Sequence, residues 1–151
     1  MNENIFDDNN FNESSEMSSL TIDFGKVTDY ILGTFVRARH NVETQFGPNS
    51  IYEIMAERGQ FHKLTKKVAA DSSTTIGKGE TWAVWGRGDI FCGQMNSLHP
   101  GQVVKLTFTE EKETKMGLAK IVKIYAPKNN EGKPMMNEQW LEDQSLMGGN
   151  I

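Results

Sequence analysis

Alternation of apolar and polar residues with a period of two is the feature that most narrows what this chain can fold into. It is clearest where Val104, Leu106 and Phe108 alternate with Lys105 and Thr107, before the charged loop Glu110 to Gly117 turns the chain and Leu118 to Tyr125 returns. Such a pattern sets one row of side chains against a core and the other in solvent, as in a half-buried strand of an antiparallel sheet. The β-branched and aromatic run after Val27, the stretch from Ile51 to Glu57 and the stretch from Thr81 to Trp85 read the same way. Only Asp89 to Gln102 has apolar residues at near-helical spacing (Ile90, Phe91, Met95, Leu98), and it ends in a Pro100-Gly101 turn. The expected class is all-β with one short helix.

The central segment is TWAVWGRG, Thr81 to Gly88. Alternation sends Trp82 and Val84 to one face and Ala83, Trp85 and Arg87 to the other. With Val84 in the core, Trp82 is a packing residue, and Trp85 and Arg87 share the opposite surface. Tryptophan in a strand is most often core, yet an aromatic ring beside a guanidinium is also what a stacked base and its phosphate need. ILGTFVRARHNV repeats the motif, with Leu32, Thr34, Val36 and Ala38 on the core side and Gly33, Phe35, Arg37 and Arg39 on the other. An ordinary solvated strand face competes with a binding face here. Gly33 permits a bulge or sharp coil. The turn cluster in ETQFGPNS, Glu43 to Ser50, puts Phe46 at or near a loop tip, where it either tucks under or stacks on a ligand.

Residues 60–80 read as a long, mobile, basic loop, or one that begins as strand, carrying Lys63, Lys66 and Lys67. Gly77-Lys78-Gly79 lacks the spacing of a nucleotide phosphate loop. The loop from Glu110 to Gly117 mixes Lys112 and Lys115 with three glutamates.

A net charge of −4 conceals an uneven distribution. Residues 1–23 carry −6, residues 129–151 carry −3, and residues 24–128 carry +5. A basic body between acidic ends points to a polyanion partner for the body, with acidic tails able to compete for the same surface. Cys92 stands alone, so no intramolecular disulfide forms, and it reads as a small buried hydrophobe. His40, His62 and His99 lack metal-ligand spacing. Neither paired carboxylates nor a nucleophile-base pair emerges, so an enzyme, a resident cofactor and a metal are not expected. The sequence has neither an apolar run of membrane-spanning length nor a basic-apolar leader, so the expectation is a soluble, cytoplasmic protein with no membrane partner.

The boundaries this implies are a disordered acidic tail over 1–22, a domain over 23–127, and a polar tail over 128–151 in which Trp140 anchors a short segment on the body, on a second subunit or on another protein. Three strands, a short helix and two more strands is the order of the OB-fold, a small β-barrel that binds oligonucleotides. ILGTFVRARHN, VWGRG, LHPGQVVKLTFTEEKETKMGLAKIVKIYAP and NEQWLED, spread over Tyr30 to Asp143, resemble the phage-type and prophage-type single-stranded DNA-binding proteins. The resemblance implies a five-stranded OB barrel with its helix between strands 3 and 4. It also implies sequence-independent binding of single-stranded DNA, or of RNA as the alternative, in phage replication and recombination. Trp85 would be the main stacking ring, with Phe35 and Phe46 in support. Arg37, Arg39, Lys63, Lys66, Lys67, Arg87, Lys112 and Lys115 would contact phosphates. The chain departs from bacterial relatives at Met147-Gly-Gly-Asn-Ile151, which is not the acidic tip that recruits partners there; Glu142-Asp143 is a weaker substitute. A second reading keeps the fold and makes it an interaction module for replication or recombination proteins, contacted through Trp140 and the C-terminal segment.

Overall fold

The computed structural model describes residues 20–45, 47–66 and 68–148. Six strands and two helices follow in order: β1 (Tyr30–Val42), β2 (Asn49–Thr65), β3 (Val68–Ile76), β4 (Thr81–Trp85), α1 (Gly88–Asn96), β5 (Val103–Thr114), β6 (Gly117–Tyr125) and α2 (Glu138–Gly148). The class is all-β. Antiparallel ladders run β3-β2-β1-β5-β6, and β4 also pairs with β2. β1 lies along one edge of β2, while β4 and β3 divide the other, β4 taking Ile51 to Met55 and β3 taking Gly59 to Thr65. Among the described residues no ladder joins β6 to β3 or β4, so the sheet is open.

The segment from Leu20 to Asp29 is a strap that runs from the edge of β4 to β5. Ile22 donates to the Ala83 carbonyl at 3.0 Å and Ala83 donates to Leu20 at 2.8 Å, while Thr28 and Asp29 exchange backbone bonds with Phe108 at 2.8 and 2.9 Å. Ile22 and Phe24 are buried beneath it. Asp29, itself fully buried, fixes the strap to β2. Its Oδ2 accepts from the backbone of Gly25, Lys26 and His62, and its Oδ1 meets His62 Nδ1 at 2.8 Å. One side chain thereby satisfies three backbone donors that have left the regular ladder.

The core fills the space between the inner sheet face, the strap and α1. Trp82 packs edge-on against Phe61 with centroids 5.2 Å apart, and Tyr52 against Phe91 at 6.1 Å. Phe91 and Met95 are the buried residues of α1, which packs against β6. The Tyr52 hydroxyl donates to Asn96 Oδ1 at 2.9 Å, and burial pushes its phenol up to about 12.

Several expectations change. Residues 60–80 are not a loose loop: β2 continues to Thr65 and pairs with β3, giving six strands where five were expected. Val68 to Ile76 is mostly small and polar, so its pairing comes from the waiting edge of β2 rather than from its own propensity. The loop read over Glu110 to Gly117 is mostly strand, since β5 runs to Thr114 and β6 starts at Gly117. In the stretch from 128, α2 carries Trp140, Asn137 Nδ2 donates to Thr34 Oγ1 at 2.7 Å, and Val103 donates to Met135 at 2.9 Å, so the segment is held on the body. Of the acidic tail expected over 1–22, residues 1–19 lie outside the described residues, while Leu20 to Ile22 pair with β4. No helix among the described residues is long and apolar enough to cross a membrane.

β1 also inverts part of its expected pattern. Ile31 and Phe35 are core, whereas Leu32 is only partly buried. The register with β2 slips between Phe35 and Arg37, which pair with the adjacent residues Ile54 and Glu53. Val36 is therefore the extra residue of a bulge, and the bulge exchanges the faces on either side of it. Phe35 points into the core while Arg37 and Arg39 point out. Gly33 sits at a second irregularity, where a Cβ would run into the Met55 carbonyl oxygen.

Candidate nucleic-acid interface

The outer face of the β1-β2-β4 ladder follows directly from the register. Arg39, Ile51 and Trp85 form one rung, and Arg37, Glu53 and Ala83 form the next. Side chains on a rung share a face, so Trp85 and Arg39 stand about 10 Å apart across two strand spacings. Trp82 and Val84 lie on the other side with Tyr52 and Ile54. Ala83 belongs to the outer face but is buried, and its backbone pairs with the Leu20 to Ile22 segment along the edge of β4.

Trp85 is partly buried and lines a cleft of about 420 Å³ with Thr44, Gln45, Gly47, Pro48 and Asn49. The β1-β2 turn that forms the other wall is held in shape. Thr44 Oγ1 donates to the Gly47 carbonyl at 2.6 Å, and Thr44 and Gly47 exchange backbone bonds at 3.2 and 3.0 Å. Asn49 Nδ2 donates to the Gly86 carbonyl at 3.3 Å and Gly86 donates to Ser50 at 2.8 Å, tying the turn to the end of β4. The cleft thus has Trp85 on one side and a hydrogen-bonded loop on the other. Asn49 was not legible as a site residue, because its partner lies 37 positions away.

Arg37 donates from Nε to Glu53 Oε1 at 2.7 Å. The Glu53 side chain is 4% exposed and that of Arg37 is 49% exposed, so a buried carboxylate is neutralised by a cation reaching out of the sheet. The pairing reduces what Arg37 offers a phosphate; Arg39 is the cation on the Trp85 rung itself. Nothing in the alternation of β2 announced Glu53, since a charged residue on an outer face is ordinarily solvated.

The remaining predicted residues scatter. Phe35 is a core ring, 3% exposed, and cannot stack on a ligand without unfolding β1. Arg87 leaves the outer face altogether. β4 ends at Trp85, and Arg87 caps α1 with its guanidinium 5.1 Å from the Phe24 ring and 5.7 Å from Phe91. Its Nε is buried without a hydrogen-bond partner, and burial lowers its pKa. It is a packing cation, not a surface phosphate contact. Lys63 and Lys66 are exposed on the β2-β3 hairpin, Lys112 and Lys115 on the β5-β6 hairpin. Both hairpins extend beyond the Tyr30 end of β1, which pairs with Gln60 and Thr107. Arg37, Arg39 and Trp85 lie toward the opposite end, so the predicted set divides into two groups along β1. Phe46 and Lys67 lie outside the described residues.

Scans against protein-family models, characterised proteins and solved structures return no match. The functional reading therefore rests on the chain's own geometry and on the motifs in its sequence.

Proposed function

We propose that this protein binds single-stranded DNA with little sequence preference, through an OB-type barrel, and protects it during phage-type replication or recombination. The observation that carries the reading is the Arg39-Ile51-Trp85 rung beside a loop-walled cleft. A strand entering the cleft stacks a base on Trp85 while its phosphates lie against Arg39 and Arg37. Stacking is sequence-tolerant because every base has a π-face, and it contributes about 1 to 3 kcal/mol per base. The barrel reading is supported by the strand order, by the strap that joins β4 to β5, and by α1, which packs on β6. The exposed lysines of the two hairpins supply further phosphate contacts at the other end of the molecule.

The test is a titration of the full chain with oligothymidine, followed by tryptophan fluorescence. Trp85 should be quenched, and log K should fall with log salt by about 0.7 for each phosphate neutralised. Matched RNA and duplex titrations rank the ligands. Absence of quenching at low salt overturns the reading.

A further inference from the structure

The outer face does not end at Arg37. Two further rungs cross the sheet toward the Tyr30 end of β1: Arg58, Leu32, Lys105 and Tyr125 on one, and Gln60, Tyr30, Thr107 and Lys123 on the next. Their inward neighbours Ile31 and Leu106 are fully buried, so these eight residues face outward together. Arg58, Lys105 and Lys123 are exposed, and the two rungs contain no carboxylate. Glu57, the bulged residue beside Arg58, is paired with Lys78 at 3.4 Å, and Glu110 pairs with Ile121, two residues from Lys123. Tyr125, the last residue of the edge strand β6, is 49% exposed at the end of its rung. Lys105 Nζ lies 5.2 Å from the Tyr30 ring centre, above a groove of about 360 Å³ that also includes Val27 and Thr109.

Two phenol rings, Tyr125 exposed and Tyr30 partly buried, stand among three cations and repeat the chemistry of the Trp85 rung, with no carboxylate on either of the two rungs. The patch also fills the gap between the two groups of predicted residues. It lies on β1 roughly 20 Å from Arg39, and the lysine-bearing hairpins start from its far side. Between patch and cleft lies the rung of Thr34, Met55 and Val103, crossed by the segment around Met135 and Asn137. We infer that the Tyr30, Tyr125, Lys105, Lys123 and Arg58 face is a second contact strip for the same single strand, engaged only by strands long enough to run from the Trp85 cleft across β1 to the hairpins. The inference rests on the single-strand reading above.

Lys105→Gln with Lys123→Gln, and separately Tyr125→Ala, test it in the full chain. Oligothymidines of about six and about thirty nucleotides bracket the reach of one site. The expected result is an unchanged affinity for the short strand, a roughly tenfold loss for the long one in the lysine pair, and a salt slope for the long strand shallower by about 1.4. Ultraviolet crosslinking of the long strand should mark the Tyr125 peptide and the short strand should not. Thermal melting of each variant checks that the fold is intact. A wild-type protein that binds both lengths, with variants indistinguishable from it and no Tyr125 crosslink, overturns the second strip and leaves the Trp85 site standing. A wild-type protein that binds neither length overturns both, and acidic-peptide binding blocked by the lysine pair would then reassign the patch to a protein partner.

Discussion

Trp82 and Trp85 lie three positions apart on β4 and face opposite sides of the sheet, so they separate stability from binding. Trp82→Ala opens the core beside Phe61 and should cost about 3 to 5 kcal/mol in equilibrium denaturation, with affinity per folded molecule unchanged. Trp85→Ala should leave the melting temperature close to wild type and lower oligothymidine affinity roughly tenfold or more. The reverse pattern would mean that the outer face does not bind. Arg37→Ala is a less clean probe, because it strips Glu53 of its 2.7 Å partner. Solvent already screens the half-exposed guanidinium, so the stability loss should be only about 1 kcal/mol, and Glu53→Gln in the same chain should recover most of it. Tyr52 gives a pH signature. Its phenol rises from 10.0 to about 12, chiefly through burial, so folding favours the protonated form. The resulting stability is complete below pH 10 and is lost as pH climbs through 12. Urea midpoints should therefore fall more steeply over that window in wild type than in Tyr52→Phe.

At the scale of elements, β1 shows how one extra residue decides which side chains reach a ligand. The run TFVRAR alternates faithfully on paper, and counting by twos places Phe35 with Arg37. The bulge at Val36 breaks the count, so the arginines keep their outward face while Phe35 is buried. A bulge is set by how two strands fit each other, and a single strand's sequence does not carry that information. β3 was missed for a related reason, since its small polar residues become a strand only beside β2. Arg87 was misplaced because alternation was extended past the end of β4 into the cap of α1. The strap supplies the test at this scale. Asp29→Ala removes the acceptor for three backbone donors and should cost roughly 2 to 4 kcal/mol by chemical denaturation. Hydrogen exchange should then rise first at Gly25, Lys26 and His62, the residues it now holds.

For the molecule as a whole, charge and topology act together. Residues 1–19 contain five acids and no base, so removing them takes the net charge from −4 to +1. Affinity for oligothymidine should rise at low salt in that truncation and converge with the full chain as salt is added, because the competing charge is screened over about 10 Å at 0.1 M. The sequence by itself determined the all-β class, the position of the short helix, the inward Trp82 and Val84 and the outward Arg37 and Arg39, all of them consequences of local period and turn chemistry. Only the tertiary structure decided that Phe35 is core, that Arg87 lies between Phe24 and Phe91, that Glu53 sits buried against Arg37, and that Tyr30, Lys105, Tyr125 and Lys123 share a face. Register explains the difference. Alternation fixes relative faces within a strand, whereas bulges, strand ends and long-range partners fix which rungs meet, and those depend on packing between segments distant in the chain.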